Sequence, residues 1–281
     1  MNRNTISHKP KYTLGTIVKY FVLIQFALTC IIPFGLVAVS SLKTDQEIYG
    51  NSFGLPEKLM WSNYAEAAKG ANIGTGLLNS LFYSTASVAL LMLISAMAAY
   101  VIARVLPKRG LYNFYTLGIM IPIHAVIIPL LIILRFAGLV NTRSGVILTY
   151  TASEISFSVF ILVSFMKGLP KEIEEAARID GCSRTRTFFS IVLPLCKPGL
   201  ATVAIFAFVN IWNDLLISMV LIPTPKLQTL NLSCFNLRGQ YVQHYGLICA
   251  GLMLVIIPVV IVYFIFQEQL VKGLTAGAVK S

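Results

Sequence analysis

The residues best suited to chemistry in this chain of 281 lie in one charged stretch, residues 172–186. Its charged members are Glu172, Glu174, Glu175, Arg178, Asp180, Arg184 and Arg186. The stretch is too polar for hydrocarbon but keeps a helical period, so it is predicted to fold outside a bilayer. A carboxylate on such a helix can form a charge-assisted pair with an arginine of another protein. The chemistry indicated is electrostatic docking.

The stretch is predicted to form two short helices joined by a turn. Pro170 opens the first helix, Gly181 accepts the left-handed backbone of the turn, and Ser183 caps a second helix that runs to about Ile191. The small apolar side chains of the first helix are expected on one side, forming a knob ringed by charge: Ile173, Ala176, Ala177 and Ile179. Glu174 is expected to form a solvated ion pair with Arg178, four residues on. Such a knob suits a groove on another protein.

The spacing of this stretch resembles that of a known family. Glu175-Ala176-Ala177, three residues, Gly181, nine residues and Ile191-x-Leu193-Pro194 together are similar to the EAA loop of ABC importer permeases. Further features resemble the carbohydrate-uptake, maltose-type branch in its six-helix form: Leu169-Pro170, Ile179-Asp180-Gly181, Trp212-Asn213-Asp214 and the tail at 273–280. The resemblance covers the chain from about Asn63 onward.

The resemblance implies a fold and a set of partners. The fold is that of an all-α membrane protein, type I ABC importer permease-like, with six transmembrane helices and a cytoplasmic helix–turn–helix coupling loop at 167–197. Glu175 would pair with an arginine in a cleft of the ATPase. The implied coupling residues are Glu175, Ala176, Ala177, Asp180, Gly181, Ile191, Leu193 and Pro194. The partners are a second, non-identical permease, an ABC ATPase dimer that holds ATP and Mg²⁺, and an extracytoplasmic sugar-binding protein.

Two acids, Glu154 and Asp214, lie inside apolar stretches. An acid at the centre of a membrane helix costs roughly 2.5–3.5 kcal/mol on insertion scales, so it usually faces a partner or water. With Asn210, Trp212 and Asn213, these acids would line a polar cavity that suits a sugar, whose hydroxyls bond to carboxylates and amides. Alternatively, Asp214 caps a helix or pairs with the partner permease, and Glu154 is a buried, paired group or has a raised pKa.

His124 stands where the resembled family often has glutamine. A neutral imidazole both donates and accepts a hydrogen bond, so it can replace that amide in a substrate pathway. A packing histidine is the other interpretation. The sequence alone leaves both open.

Composition indicates an integral membrane protein. The chain is 57% hydrophobic and 12% charged, with a mean hydropathy of +0.78, which describes a chain that needs lipid around it. Its net charge of +11 does not indicate nucleic-acid binding, because the basic residues sit at the ends of apolar runs. Six spans are predicted: 20–42, 77–105, 112–134, 145–165, 199–222 and 245–266.

The distribution of basic residues sets the orientation. With six spans both termini share a side, and 15 of the 22 Lys and Arg fall on that side together with the coupling loop. Cytoplasmic loops carry the excess of positive charge. The predicted organisation is a cytoplasmic tail at 1–19, a permease domain at 20–266 and a cytoplasmic tail at 267–281, in a bacterial cell membrane.

Several other functions are disfavoured. The five cysteines are scattered and match no metal-site spacing, so no metal is expected. The glycines between Gly70 and Gly76 lack the lysine of a phosphate loop, so no bound ATP or other cofactor, and no enzymatic activity, is expected. Rival hypotheses are a permease for glycerol-phosphate or an osmolyte, an ion-coupled secondary transporter using Glu154 or Asp214 as a proton site, and a membrane scaffold without a pathway.

Overall fold

The structure is a computed structural model that describes residues 14–237 and 244–278. Every regular element in these residues is helical. Four helices are long and apolar enough to cross a membrane, and two bent helix pairs bring the number to six if each pair counts as one span. Five of the predicted spans correspond to one of these helices or pairs, whereas the second bent pair, residues 184–213, begins before the predicted fifth span at 199 and ends before 222.

Fourteen α-helices follow one another in the described chain. In order, they are α1 (Leu14–Ser40), α2 (Asp45–Gly50), α3 (Ser62–Gly70), α4 (Ile73–Tyr100), α5 (Arg109–Ile119), α6 (Ile123–Phe136), α7 (Arg143–Lys167), α8 (Lys171–Ile179), α9 (Arg184–Thr187), α10 (Leu193–Leu195), α11 (Lys197–Asn213), α12 (Leu216–Leu221), α13 (Leu230–Phe235) and α14 (Tyr245–Ala278). Two π-helical segments, Val101–Val105 and Phe188–Val192, extend α4 and α9, and a 3₁₀ turn covers Pro225–Leu227.

The first and last spans are longer than predicted. Helix α1 already begins at Leu14, within the stretch expected to be a tail. Helix α14 continues to Ala278, through most of the stretch expected to be the other tail. The rest of the two predicted tails, residues 1–13 and 279–281, lies outside the described residues.

The third and fifth spans are bent. Between α5 and α6 the chain turns by 100° just before Pro122, whose ring disfavours a helical conformation in the preceding residue. The chain turns by 75° between α10 and α11, where the charged stretch meets the fifth span. It breaks again after Asn213, because Asp214 has the extended ψ of 137°. A period of apolar residues cannot reveal such turns, which leave the apolar run continuous.

Helices α4 and α7 form the centre of the molecule. In each of them 44% of the residues in an apolar stretch of 18 are buried, whereas no residue in the corresponding stretch of α1 is buried. One core cluster joins Tyr100, Val159, Leu162 and Met166 to Phe188 in the π-helical extension of α9. A second cluster joins Tyr83 and Tyr150 to residues of α11 and α12. The candidate sites described next are attached to this α4–α7 pair.

Candidate functional site

The charged hairpin, defined here as residues 171–195, forms the predicted turn. Gly181 has a φ of +79°, and the N–H of Cys182 donates to the carbonyl of Ala177 at 2.9 Å while that of Gly181 donates to Arg178 at 3.0 Å. This pair of bonds is a Schellman motif, which ends α8. The hydroxyl of Ser183 accepts from the N–H of Arg186 and caps α9. The predicted bend and N-cap are both confirmed.

The second helix of the charged hairpin is longer than predicted. It passes Ile191 through a π-helical segment, and Pro194 lies inside α10 instead of ending the helix. Ile191 and Leu193 are half-buried, whereas Pro194 is exposed. Leu193 packs against the core cluster that contains Phe188. Leu193 therefore attaches the hairpin to the α4–α7 pair.

Helix α8 divides its side chains between two faces, and this division corrects the predicted knob. Ala177 is buried together with Glu174, while Ala176, Asp180 and Glu175 are exposed. Ile179 is 87% exposed. The free apolar knob is thus smaller than expected, because Ala177 packs into this chain's own core. Glu175 remains on the open face.

Glu174 does not form the expected surface pair with Arg178. Its Oε1 lies 2.8 Å from Nε of Arg104, and both side chains are almost completely buried. Its other oxygen accepts a hydrogen bond from the hydroxyl of Tyr100 at 3.2 Å. Neither partner is predictable from the sequence, because each lies about seventy residues away in the chain and no local spacing points to it.

Asp214 lies at the break of the fifth span and caps the helix that follows. Its two oxygens accept from the N–H groups of Ile217, at 3.3 Å, and Ser218, at 3.1 Å. The hydroxyl of Tyr150 in α7 donates to the same carboxylate at 2.9 Å. Of the roles left open by the sequence, the capping role is the one these contacts support.

Glu154 meets Asn210 across α7 and α11. The amide of Asn210 donates to Oε2 of Glu154 at 3.3 Å, and Asn210 is exposed while Glu154 is half-buried. Asn213 and His124 are exposed as well. The structure therefore presents a carboxylate and an amide side by side on an open face. No hydrogen bond joins His124 to this pair within the described residues.

Trp212 does not share that open face. It is 4% exposed, and its ring stacks on Phe208 with centroids 5.7 Å apart. It belongs to a core cluster with Ile73 and Leu230. Its ring thus faces the chain's own core instead of the polar cavity that the sequence suggested, because Trp212 lies about 200° around α11 from the exposed Asn210.

The segment between the fifth and sixth spans packs back onto α4, which the sequence did not predict. The amide of Asn79 donates to the carbonyls of Lys226 and Gln228, both at 3.0 Å. The hydroxyl of Tyr83 donates to the carbonyl of Leu227 at 2.9 Å. Buried polar side chains within an apolar span were the sequence signal that could have predicted this packing.

Across the residues described, no group of three or more His, Cys, Asp or Glu is arranged to hold a metal ion.

The chain resembles known proteins over most of its length. The family model described as "Binding-protein-dependent transport system inner membrane component" matches residues 91–276. The probable starch degradation products transport system permease protein AmyC of Thermoanaerobacterium thermosulfurigenes is 38% identical over 276 residues, which cover 97% of this chain and 98% of that protein. The diacetylchitobiose uptake system permease protein NgcG of Streptomyces coelicolor is 37% identical over 264 residues, covering 92% and 87%.

A solved structure has the same fold. It is a chain of a bacterial ABC transporter involved in the import of the acidic polysaccharide alginate, and it matches with a TM-score of 0.80 and 22% sequence identity. The match covers 92% of this chain and 99% of that one. The predicted fold class, an all-α permease of the type I ABC importer kind, is confirmed.

Proposed function

The chain belongs to the family of binding-protein-dependent transport system inner membrane components, and from this we propose that it is the transmembrane permease subunit of an ATP-driven ABC importer for a sugar or an oligosaccharide. Together with a second, non-identical permease it forms the translocation pathway. An extracytoplasmic sugar-binding protein delivers the substrate. The chain itself catalyses no covalent step and binds no cofactor, since ATP and Mg²⁺ belong to a dimer of ATPase subunits.

The observation that carries this proposal is the position of Glu175. It is exposed on α8, directly beside the buried Glu174, at the tip of a charged hairpin ended by a left-handed glycine. A free carboxylate in that position suits a charge-assisted pair with an arginine in an ATPase cleft. Ala176, which is also exposed, permits close approach. Both features support coupling through the charged hairpin.

The proposed substrate class rests on two kinds of support. Relatives bear the names of permeases for starch degradation products and for diacetylchitobiose. The Glu154 and Asn210 pair offers a carboxylate and an amide on an open face, the groups that hydrogen-bond sugar hydroxyls. Neither support favours glycerol-phosphate or an osmolyte, and binding-protein dependence does not fit an ion-coupled secondary transporter.

The proposed orientation places the charged hairpin and both termini in the cytoplasm. The support is the charge distribution, with 15 of the 22 Lys and Arg on that side. ATP binding then closes the ATPase dimer and moves α8, which switches the pathway from inward-facing to outward-facing. Hydrolysis of ATP resets it. Alternating access of this type needs two stable packings of the spans.

The experiment that tests the proposed function is purification of the tagged chain from its own membrane, followed by mass spectrometry of what accompanies it. A second permease, an ABC ATPase and a sugar-binding lipoprotein are the expected companions. Recovery of this chain alone, still competent for uptake after reconstitution, would overturn the proposal. Attention would then pass to Glu154 and Asp214 as an ion-coupled site.

A further inference from the structure

Arg104 contacts three different segments with one guanidinium group. It lies in the π-helical extension of α4, Val101–Val105, and its side chain is 5% exposed. Its Nε lies 2.8 Å from Oε1 of Glu174 in α8. Its Nη2 donates to the carbonyl of Met166 at 2.6 Å and to that of Leu169 at 2.7 Å. The end of α4, the end of α7 and the charged hairpin therefore meet at one side chain.

The chemistry of these contacts requires arginine. A guanidinium presents donors in a fixed planar fork and keeps its positive charge, so Nη2 can donate to both carbonyls while the charge faces the carboxylate of Glu174. The two carbonyls lie at the C-terminal end of α7, where the helix dipole favours a cation. A lysine has a single nitrogen on a flexible stem and cannot hold the three segments in one geometry.

Helix α8 has few other attachments to the spans. Among its described residues only Glu174 and Ala177 are buried, and Ala177 offers one methyl group. A further link runs through the second half of the hairpin, where Leu193 packs on the core and the ring of Phe188 lies 5.0 Å from that of Tyr100. Apolar contacts of this type can slide and repack, whereas separating a buried ion pair leaves an uncompensated charge and is costly.

Neighbouring positions on a helix point about 100° apart, given roughly 3.6 residues per turn. Glu174 and Glu175 therefore lie on different faces of α8 and can have different roles. Glu175 faces outward, and Glu174 holds the helix to Arg104, with a further hydrogen bond from Tyr100. Whatever displaces α8 must either move α4 and α7 with it or break a buried ion pair.

We propose that the Arg104–Glu174 ion pair is the link that transmits the displacement of α8 to α4 and α7. Both residues are positioning residues, and neither touches substrate or nucleotide. The proposal rests on the proposed docking of α8 in an ATPase. Its distinct content is that docking and transmission are separate functions of two adjacent glutamates.

The test uses the whole purified transporter, reconstituted with the binding protein that accompanies it and that still carries its copurified sugar. Glu174→Gln is compared with Glu172→Gln, a matched change at an exposed position of the same helix. Two quantities are measured: the amount of ATPase retained on the complex, and the stimulation of ATP hydrolysis by the binding protein. We expect Glu174→Gln to retain the ATPase and to lose about 5- to 150-fold of the stimulation, the usual range of coupling between sites.

A second variant separates transmission from folding. Glu174→Gln leaves the Arg104 charge buried without its partner, which by itself destabilises a protein. The double variant Arg104→Gln with Glu174→Gln removes both charges, so its thermal stability should rise above that of Glu174→Gln, although the carbonyls of Met166 and Leu169 lose their donor. Stimulation should stay low if the ion pair transmits movement. Stimulation that recovers along with stability would overturn the proposal.

Other outcomes are equally decisive. Stimulation in Glu174→Gln equal to that in Glu172→Gln would show that transmission does not need the pair. Loss of the ATPase from the Glu174→Gln complex would assign the pair to the docking surface instead. Failure of the underlying docking proposal is recognisable separately, because the wild-type complex would then lack an ATPase.

Discussion

The hydroxyl of Tyr150 lies 2.9 Å from Oδ2 of Asp214, so a side chain of the fourth span fixes the point at which the fifth span breaks. The same hydroxyl lies 2.8 Å from Oγ of Ser218, whose backbone N–H is capped by Asp214. Tyr150 is 1% exposed. The break is thus part of a buried polar network and not a frayed helix end.

Tyr150→Phe removes the hydroxyl and with it the hydrogen bonds to the carboxylate of Asp214 and to Oγ of Ser218. A hydrogen bond to a charged group contributes about 1.5–3 kcal/mol, so the variant should lower the temperature at which the purified complex unfolds. Tyr115→Phe is the matched control, since its hydroxyl forms no hydrogen bond with any described residue. Equal unfolding temperatures for the two variants would show that the network does not hold the break.

Glu175→Lys should abolish both sugar uptake and stimulated ATP hydrolysis while the chain is still made and inserted. The reason is that a lysine repels the arginine proposed in the receiving cleft, whereas the exposed Glu175 forms no hydrogen bond or ion pair with any described residue that would hold α8 to the spans. Glu172→Lys, an identical change on an exposed position of the same helix, should retain uptake. Uptake by cells carrying Glu175→Lys would remove the coupling role from this residue.

The turn and the cap of the charged hairpin could be predicted from local sequence signals. The ion pair that joins the hairpin to a distant part of the chain could not. Gly181 and Ser183 act on backbone groups within a few residues, so their types alone indicate a bend and a cap. Arg104 and Glu174 are far apart in the sequence, and either could have been a solvated surface charge. Only the packing of α4 against α8 reveals that both are buried.

The same distinction between local signals and long-range contacts applies to the prediction of the membrane spans. A long apolar run is visible in the sequence itself, because composition and length decide whether a helix can cross a membrane. The turn at Pro122 and the break at Asp214 depend on where the chain must pack. The polar neighbours Asn210 and Asn213 suggested that Trp212 lines a pathway. Its position around the helix instead directs its ring into the core.

Gly181→Ala should destabilise the charged hairpin through the backbone alone. A methyl group there would meet nothing within 4 Å, but the φ of +79° costs a residue with a side chain about 1–2 kcal/mol. Gly181→Asn should cost less, because asparagine tolerates this conformation. Cleavage of the hairpin by a protease is the measurement, and Gly110→Ala, in open space at an ordinary φ, is the control. Equal cleavage of the Ala and Asn variants at 181 would contradict the prediction.

Glu47 should make the loop after the first span sensitive to acid. The backbone N–H groups of Thr44 and Glu57 hold the pKa of its carboxyl below the ordinary 4.5. A lowered pKa means that the stabilisation is fully present above pH 4.5 and is lost as the pH falls through the lowered value. Pepsin should therefore cleave near the exposed Phe53 and Leu55 increasingly below that pH.

The control for this loop is Glu57→Gln, which keeps the backbone N–H that donates to Glu47. Glu47→Gln should be cleaved readily at every pH, since a neutral amide cannot supply the same charge-assisted contacts. Glu57→Gln should follow the wild type. Identical pH profiles for Glu47→Gln and the wild type would show that this carboxylate does not order the loop.

Glu154→Gln tests the proposed pathway. The amide keeps one oxygen for Asn210, at the present distance of 3.3 Å, but loses the charge that strengthens hydrogen bonds to hydroxyl groups. Losing about 1.4 kcal/mol or more of such an interaction lowers uptake by about tenfold, while the affinity of the separate binding protein for its sugar stays constant. Glu172→Gln serves as the control. Uptake at the wild-type level in Glu154→Gln would show that this residue is not part of the pathway. Uptake that persists in a transporter with an inactivated ATPase would instead assign Glu154 an ion-coupled role.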